Sequence, residues 1–276
     1  MTGTDARKAV ISAEHLLKEL ERGRDIVLLE IGRESAHLLA ASERLPGAHY
    51  VDLPTELAGA RYPGSGTYPL PSEEAVQRQV RRWGINDGSV VVVHTRADPP
   101  LATRAWWILT WAGVPDVRYL DGGVDAWVSA GGRLSGEEPA EASGGFTVTA
   151  GSLPTLDAEG AARLARSGKL LDARPAGAYT GEKGGGHIPG ALNLPSAANL
   201  GADGRLKGQD ELREQYAALG IKRGTEVGVY CGGGIGATFD ILTLSMIGIS
   251  AKLYPGSWSE WSSDSSRPVM SGDGPG

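Results

Sequence analysis

Short apolar runs alternate with amphipathic segments along both halves of the chain. The first half predicts three helices and two strands: helices over residues 13–22, 73–83 and 102–112, and strands over 26–29 and 90–93. The second half repeats this order: helices over 156–167, 209–219 and 236–247, and strands over 170–172 and 227–230. Strands that are apolar throughout and separated by helices are typical of a parallel sheet covered on both faces. Each half is therefore predicted to be an α/β domain.

An internal repeat relates the two halves. Four short segments of the first half match segments of the second half in the same order. The matched pairs are Leu28-Leu29-Glu30 with Leu170-Leu171-Asp172, Pro46-Gly47-Ala48 with Pro189-Gly190-Ala191, Val93-His94-Thr95 with Val229-Tyr230-Cys231, and residues 122–127 with 256–261. We therefore predict two related domains, over residues 1–140 and 154–276, joined by a linker of small and polar residues over 141–153.

Composition and charge narrow the possible functions. The chain has 276 residues, of which 41% are hydrophobic and 22% charged, as in ordinary globular proteins. Its formal net charge of −6 argues against nucleic acid or an acidic membrane as a partner. No apolar run approaches the roughly 18 residues of a membrane-spanning helix, and charged residues interrupt the first 20 positions. We expect a cytoplasmic protein that does not act on membranes.

The chain contains a single cysteine, Cys231. One cysteine excludes an intramolecular disulfide and a cysteine-rich metal cluster, and no metal or cofactor is predicted. A lone cysteine is more often a small buried hydrophobic residue than a nucleophile. Here, however, it ends the predicted strand 227–230 and precedes Gly232, Gly233, Gly234, Ile235 and Gly236. In open α/β sheets, ligands bind beyond the carboxyl ends of the strands, so this position favours function.

The glycine-rich loop gives a physical reason for reactivity at Cys231. Glycines allow the backbone to curl so that several N–H groups point at the sulfur, and the next helix adds positive potential from its N-terminus. Both effects favour the thiolate, which is the nucleophilic form. A nucleotide-binding loop is disfavoured because no Gly-Lys-Ser/Thr follows, and a cysteine phosphatase is disfavoured because residues 232–238 include no arginine to bind phosphate.

The second half closely resembles the catalytic domain of tandem-domain rhodanese-type sulfurtransferases. The segments that carry the resemblance are Leu171-Asp172-Ala173-Arg174, Tyr179-Thr180-Gly181-Glu182-Lys183, Gly186-His187-Ile188-Pro189-Gly190-Ala191, Tyr230-Cys231-Gly232 and Gly256-Ser257-Trp258-Ser259-Glu260-Trp261. The first half resembles the non-catalytic domain of the same family, and Thr95 stands at its nucleophile position. The resemblance implies two tandem rhodanese-like domains, each a mostly parallel sheet flanked by helices, with residues 154–276 catalytic and residues 1–140 silent.

The resemblance also implies a mechanism and a set of site residues. Cys231 takes a sulfane sulfur from a small anionic donor of the thiosulfate or 3-mercaptopyruvate type, becomes a persulfide, and passes the sulfur to a thiol, cyanide or a sulfur-carrier acceptor. Arg174 and Lys183 are the expected contacts to the donor anion. The remaining expected contacts are the loop residues Gly232, Gly233, Gly234, Ile235 and Gly236.

Several of these residues have a structural alternative. Arg174 would instead pair locally with Asp172 or Glu182, and an exposed Lys183 is often only solvated. His187 is interpreted as a structural turn residue rather than a general base. Trp258 and Trp261 are better explained by packing than by substrate binding.

Three departures from the family pattern leave the donor open. Gly232 and Gly233 supply none of the cationic residues that follow the cysteine in thiosulfate-preferring members. Mercaptopyruvate-preferring members have a serine where Gly233 stands, working with a histidine and an aspartate whose places are taken here by Tyr68 and Pro54. The alternative to an efficient enzyme is therefore a catalytically weakened rhodanese-like sulfur carrier or a regulatory binding module.

Overall fold

Two parallel β-sheets organise the chain, one in each of two units. The computed structural model describes residues 9–33, 43–96, 98–137, 139–140, 142–182 and 185–276. The N-terminal unit comprises Met1–Gly59 and Leu70–Leu153, and the C-terminal unit comprises Ala60–Pro69 and Pro154–Gly276.

The described part of the N-terminal unit is built on a five-stranded parallel sheet in the order β1-β5-β4-β2-β3. Its strands are β1 (Val10–Ile11), β2 (Ile26–Gly32), β3 (His49–Asp52), β4 (Val90–His94) and β5 (Val117–Leu120). Its helices are α1 (Ala13–Glu21), α2 (Leu53–Glu56), α3 (Glu73–Arg82), α4 (Pro99–Trp111) and α5 (Gly123–Ser129). Every residue of β4 is buried, as expected for a strand covered on both faces.

The described part of the C-terminal unit is built on a four-stranded parallel sheet in the order β7-β6-β8-β9. Its strands are β6 (Lys169–Asp172), β7 (Leu192–Asn193), β8 (Val227–Tyr230) and β9 (Ala251–Leu253). Its helices are α6 (Ala158–Ser167), α7 (Ala176–Thr180), α8 (Gln209–Ala218), α9 (Gly236–Met246) and α10 (Ser257–Trp261), with a 3₁₀ helix at Ser196–Asn199. The parallel α/β fold predicted for both halves is confirmed.

Local signals explain where several helices begin. The side chains of Ser12, Ser72 and Asp157 each accept a hydrogen bond from a backbone N–H three residues later, at the starts of α1, α3 and α6. These caps satisfy N–H groups that have no partner inside the helix. All ten predicted helices and strands are present, with ends that differ by at most a few residues.

The segment predicted as a linker lies along the N-terminal unit. The backbone N–H groups of Gly144, Phe146, Thr149 and Ser152 donate to carbonyls at or just after the ends of α3 and α4. Carbonyls in the last turn of a helix lack partners within the helix, so these bonds satisfy them. Residues 142–153 therefore continue the N-terminal unit up to Leu153.

A second difference concerns Ala60–Pro69, which the sequence placed in the first domain. In the structure this segment packs within the C-terminal unit. The N–H of Thr67 donates to Ser259 Oγ at 2.9 Å, and a β-carbon at Gly66 would lie 2.5 Å from the carbonyl oxygen of Gly256. Contacts between positions so far apart in sequence leave no trace in a local pattern.

The chain near its carboxyl end runs along the His187 loop of the same unit. His187 and Met270 exchange backbone hydrogen bonds of 2.8 and 3.0 Å, and the N–H of Gly190 donates to Pro275 O at 2.6 Å. Residues 268–275 thus pack within the C-terminal unit.

None of the described helices is both long enough and apolar enough to cross a bilayer.

Candidate active site

Cys231 directly follows β8, whose four residues are all buried. The cysteine itself is 6% exposed and forms no disulfide. Its N–H donates to Ser257 Oγ at 3.2 Å, and its carbonyl accepts from the N–H of Trp258 at 2.9 Å. Since both partners belong to α10, this short helix fixes the backbone on either side of the thiol.

The loop after Cys231 turns back toward the sulfur. The N–H of Gly234 donates to Cys231 Sγ at 3.1 Å. Gly234 has a φ of +83°, a left-handed conformation that glycine adopts without the penalty of a β-carbon. Ile235 is buried, and α9 begins at Gly236, so the helix N-terminus follows the sulfur within a few residues. This backbone arrangement stabilises negative charge on Sγ.

The glycines of the loop differ in what surrounds them. Gly232 is exposed, and a β-carbon there would have no atom within 4 Å. A β-carbon at Gly233 would lie 3.0 Å from Thr67 Cβ and 3.3 Å from a ring carbon of Tyr68. The loop is therefore open at Gly232 and covered at Gly233 by the Ala60–Pro69 segment. Pro54, the other position discussed with Tyr68, lies in α2 of the N-terminal unit.

Arg174 is buried beside the loop and engaged by its neighbours. Its guanidinium binds Asp172 through two oxygens, with Nε 2.9 Å from Oδ1 and Nη2 2.5 Å from Oδ2. Nη2 also donates to Gly186 O at 2.6 Å, and Cζ lies 4.4 Å from the ring centroid of Trp258. These contacts favour the alternative of local pairing. They tie Arg174 to the loop through Trp258, whose N–H binds the Cys231 carbonyl.

The structure places the other candidate residues in different settings. The structure brings Cys231, Gly234 and Gly236 together, whereas Lys183 lies outside the described residues. His187 is fully buried and stacks on Tyr179, with Nδ1 3.0 Å from Tyr179 O. These are structural contacts, as predicted for this residue.

A network of buried polar side chains lies behind the loop. The amide of Asn199 donates to Asp240 Oδ1 at 2.8 Å and to Ser196 O at 3.1 Å, and its oxygen accepts from Tyr216 at 3.2 Å. Burial raises the pKa of the Asp240 carboxyl well above its usual value, and the charge of Asp172 adds to this effect. The folded environment therefore favours the protonated form of Asp240 inside α9.

The sequence did not single out three residues that contact the loop. Ser257 binds the Cys231 N–H from a backbone with φ of 54°, a conformation that is unusual outside glycine. Thr67 covers Gly233, and Ser196 lies beside Gly236. Only Ser257 carried a signal in the sequence that could have pointed to it. The internal repeat matches Ser257 to Gly123, and a glycine at a matched position indicates an unusual backbone conformation. In the parts of the chain that the structure describes, no group of three or more His, Cys, Asp or Glu is arranged to hold a metal ion.

The matching loop of the N-terminal unit has different chemistry. Thr95 follows β4 at the position of Cys231, and the next residue, Arg96, binds Glu30 with Nε 2.9 Å from Oε1. Helix α4 then begins with Pro99 and Pro100, which have no N–H to offer an anion. Burial lowers the pKa of His94, the last residue of β4, to about 3, so its ring is neutral.

Comparison with known proteins identifies relatives over nearly the whole chain. The model of the Rhodanese-like domain matches residues 12–130 and 157–264. A Mycobacterium tuberculosis protein provisionally named thiosulfate sulfurtransferase SseB is 39% identical over 96% of this chain and 98% of its own. A Pseudomonas aeruginosa protein provisionally named 3-mercaptopyruvate sulfurtransferase is 38% identical over 83% of this chain and 84% of its own. The crystal structure of YnjE superposes with a TM-score of 0.84 and 25% identity, over 100% of this chain and 71% of that one.

Proposed function

Because this chain belongs to the rhodanese-like family of sulfurtransferases, we propose that it transfers a sulfane sulfur through a persulfide on Cys231. The observation that carries the proposal is the hydrogen bond from the Gly234 N–H to Cys231 Sγ, at the carboxyl end of β8. Such a donor stabilises the thiolate that attacks the donor sulfur. The backbone around Cys231 is held by α10, so the donor N–H is in place before any substrate binds.

The reaction has two steps and needs no external oxidant or reductant. In the first step, the Cys231 thiolate attacks the sulfane sulfur of the donor, a new S–S bond forms, and the donor residue leaves with the electron pair of the broken bond. In the second step, an acceptor nucleophile attacks the outer sulfur, and Sγ regains its electron pair. With cyanide as the acceptor, the product is thiocyanate.

The donor is a small anion of the thiosulfate or 3-mercaptopyruvate type. Gly232 is exposed, and even a β-carbon there would have open space around it. We infer that the donor approaches Cys231 from this side. Arg174 supports the site by holding Asp172 and stacking on Trp258, and Lys183 remains a predicted contact of the donor anion. The acceptor is a thiol, cyanide or a sulfur-carrier protein.

Two further predictions belong to this proposal. A formal net charge of −6 supports the prediction that nucleic acid is not a partner. The second is the expected cytoplasmic location.

Intact mass measurement tests the proposal directly. The reduced protein is incubated separately with thiosulfate and with 3-mercaptopyruvate, and then with cyanide, alongside the Cys231→Ala variant. We expect the wild-type chain to gain one sulfur atom that cyanide removes, and the variant to gain none. Sulfur transfer that persists in Cys231→Ala would refute the mechanism.

The same experiment separates an enzyme from a sulfur carrier or regulatory module. An enzyme releases many equivalents of thiocyanate per chain when donor and cyanide are both in excess. A carrier is loaded once, and its further turnover is slow. Thiocyanate that stops at about one equivalent per chain would favour the carrier, an alternative supported by the absence of cationic residues at 232–236.

A further inference from the structure

The hydroxyl of Ser196 and the sulfur of Cys231 both lie near Gly236. A β-carbon at Gly236 would lie 3.5 Å from Ser196 Oγ and 3.8 Å from Cys231 Sγ. The hydroxyl and the thiol therefore both border the space that a side chain at position 236 would occupy. Ser196 is only partly buried, and its hydroxyl forms no hydrogen bond with any residue that the structure describes.

The backbone that carries this hydroxyl is firmly held. The N–H of Ser196 donates to Ala173 O at 3.0 Å, and its carbonyl accepts from the Asn199 amide at 3.1 Å. Asn199 is in turn bound by Asp240 of α9 and Tyr216 of α8. A side chain supported in this way is positioned before a ligand arrives, and an unpaired hydroxyl in such a place is available to that ligand.

We propose that Ser196 is a catalytic residue whose hydroxyl donates a hydrogen bond to the outer sulfur of the Cys231 persulfide. The inference rests on the proposed function. An S–S bond is about 2.05 Å long, so a sulfur bonded to Sγ and directed toward Ser196 lies about 2 Å closer to Oγ than Sγ itself does. The empty position at 236 is thus the place of the transferred atom.

The hydrogen bond acts on the charge of the loaded enzyme. The outer sulfur of a deprotonated persulfide is an anion, and the hydroxyl stabilises it while keeping its own proton. When an acceptor thiolate attacks, a bond forms between its sulfur and the outer sulfur, the bond to Sγ breaks, and the electron pair stays on Sγ. The Gly234 N–H then stabilises the regenerated thiolate.

Two variants interrupt this contact in different ways. Ser196→Ala removes the hydroxyl. Gly236→Ala places a methyl group in the space, and its carbon would be at ordinary contact distances of 3.5 to 3.8 Å from its neighbours. Ser167→Ala is the matched control, because it removes an exposed hydroxyl at the end of α6 whose hydrogen bond goes to the carbonyl of Arg163.

Each variant is loaded with inorganic polysulfide and, separately, with thiosulfate and 3-mercaptopyruvate, and the persulfide is measured by intact mass and by cyanide. We expect Ser196→Ala and Gly236→Ala to lower the yield or rate of persulfide formation roughly tenfold. Alkylation of the resting thiol of Ser196→Ala by iodoacetamide should stay within about twofold of wild type, since the hydroxyl contacts the outer sulfur and not Sγ. Ser167→Ala should match wild type throughout.

Persulfide formation by Ser196→Ala at the wild-type level would overturn the inference. A parallel loss of persulfide, alkylation rate and thermal stability would also overturn it, because this pattern indicates a structural role. Polysulfide loads a reactive thiol without the natural donor. A wild-type chain that is loaded by polysulfide but by neither of the two donors would therefore contradict the proposed function alone, whereas one that polysulfide does not load would contradict both.

Discussion

The loops after β4 and β8 occupy matching positions in the two units, but the arginine that pairs with a buried acid beside each loop comes from a different place in the chain. In each unit, a carboxylate near the carboxyl end of the adjacent strand binds an arginine: Glu30 binds Arg96, and Asp172 binds Arg174. Arg96 belongs to the β4 loop itself and matches Gly232. Arg174 belongs to the loop after β6, so the residue following Cys231 is free to be an exposed glycine. In the C-terminal unit, the arginine that pairs with the buried acid thus comes from the neighbouring loop and not from the β8 loop.

A second contrast lies in the turn that supports each loop. Gly123 has a φ of 53° and its match Ser257 has a φ of 54°, so the two backbones share one left-handed conformation. A β-carbon at Gly123 would lie 2.5 Å from Thr95 O, whereas Ser257 uses its side chain to bind the Cys231 N–H. The turn at Gly123 thus packs directly against the β4 loop, whereas the turn at Ser257 holds the β8 loop by a hydrogen bond.

The largest expected effect comes from moving the thiol between the two loops. We expect the double variant Cys231→Ala with Thr95→Cys to lose sulfur transfer by on the order of a thousandfold or more, as Cys231→Ala alone does. The β4 loop lacks the glycine run, and α4 begins with Pro99 and Pro100, which offer no N–H to a thiolate. Thiocyanate formation measures the loss. The single variant Thr95→Cys should retain activity, and a gain of sulfur by the double variant would contradict the comparison.

The two arginines should differ in their effect on stability. Arg174→Ala leaves the fully buried Asp172 without its cation, and we expect it to lower the free energy of unfolding by about 3 kcal/mol. Arg96→Ala also leaves a buried acid, Glu30, but it should cost less, about 2 kcal/mol, since the Arg96 side chain is 37% exposed and solvent screens the pair. Urea unfolding of both variants tests the order. Equal losses would show that the two ion pairs do the same structural work.

Ser257 offers a smaller and more selective test. Ser257→Ala loses the hydrogen bond to the Cys231 N–H but keeps a β-carbon in a left-handed backbone, and we expect a loss of about 2 kcal/mol. Ser257→Gly loses the same bond but relieves the backbone, as Gly123 does in the other unit, and should lose about 1 kcal/mol. Thermal unfolding measures both. If the glycine variant were the less stable of the two, backbone strain at this turn would be excluded.

The smallest effect concerns the buried ionisable side chains of the two helices. Arg104 of α4 matches Asp240 of α9, and both side chains are fully buried. Burial raises the pKa of folded Asp240, so the folded chain keeps a proton that the unfolded chain releases, and stability contributed by this group falls as pH rises above about 4. We expect Asp240→Asn to remove this pH dependence. Relative to wild type, the free energy of unfolding of the variant should be about 1 kcal/mol higher at pH 8 than at pH 4.

Denaturant midpoints of Asp240→Asn and wild type at the two pH values check the sign. An equal difference at both pH values would mean that folding does not raise the pKa of Asp240. Replacement by asparagine keeps the acceptor for the Asn199 amide, so the test isolates the titration from the hydrogen bond.

The long elements and the nucleophile loop could be predicted from the sequence, but their supports could not. The valines of β4 and the glycines after Cys231 carry local signals, namely an apolar run and a turn composition. Strands such as β1 and β7 have two residues each, too few to show a period. Thr67 and Ser196 approach the loop only through tertiary packing, and their own neighbours in sequence give no hint of it. Arg174 lies between these two cases. Its partner Asp172 is only two residues away and is one of the two possible local partners predicted from the sequence.

The hydrogen bond from Thr67 to Ser259 joins residues 192 positions apart. During synthesis, the Ala60–Pro69 segment emerges long before β8, the Cys231 loop and α10 exist. It cannot take its place until the last of these has folded, and closing so long a loop is slow and entropically unfavourable. The cover over Gly233 is therefore a late event of folding, and a nascent C-terminal unit passes through a stage in which Cys231 is already carried by its sheet but not yet shielded on that side.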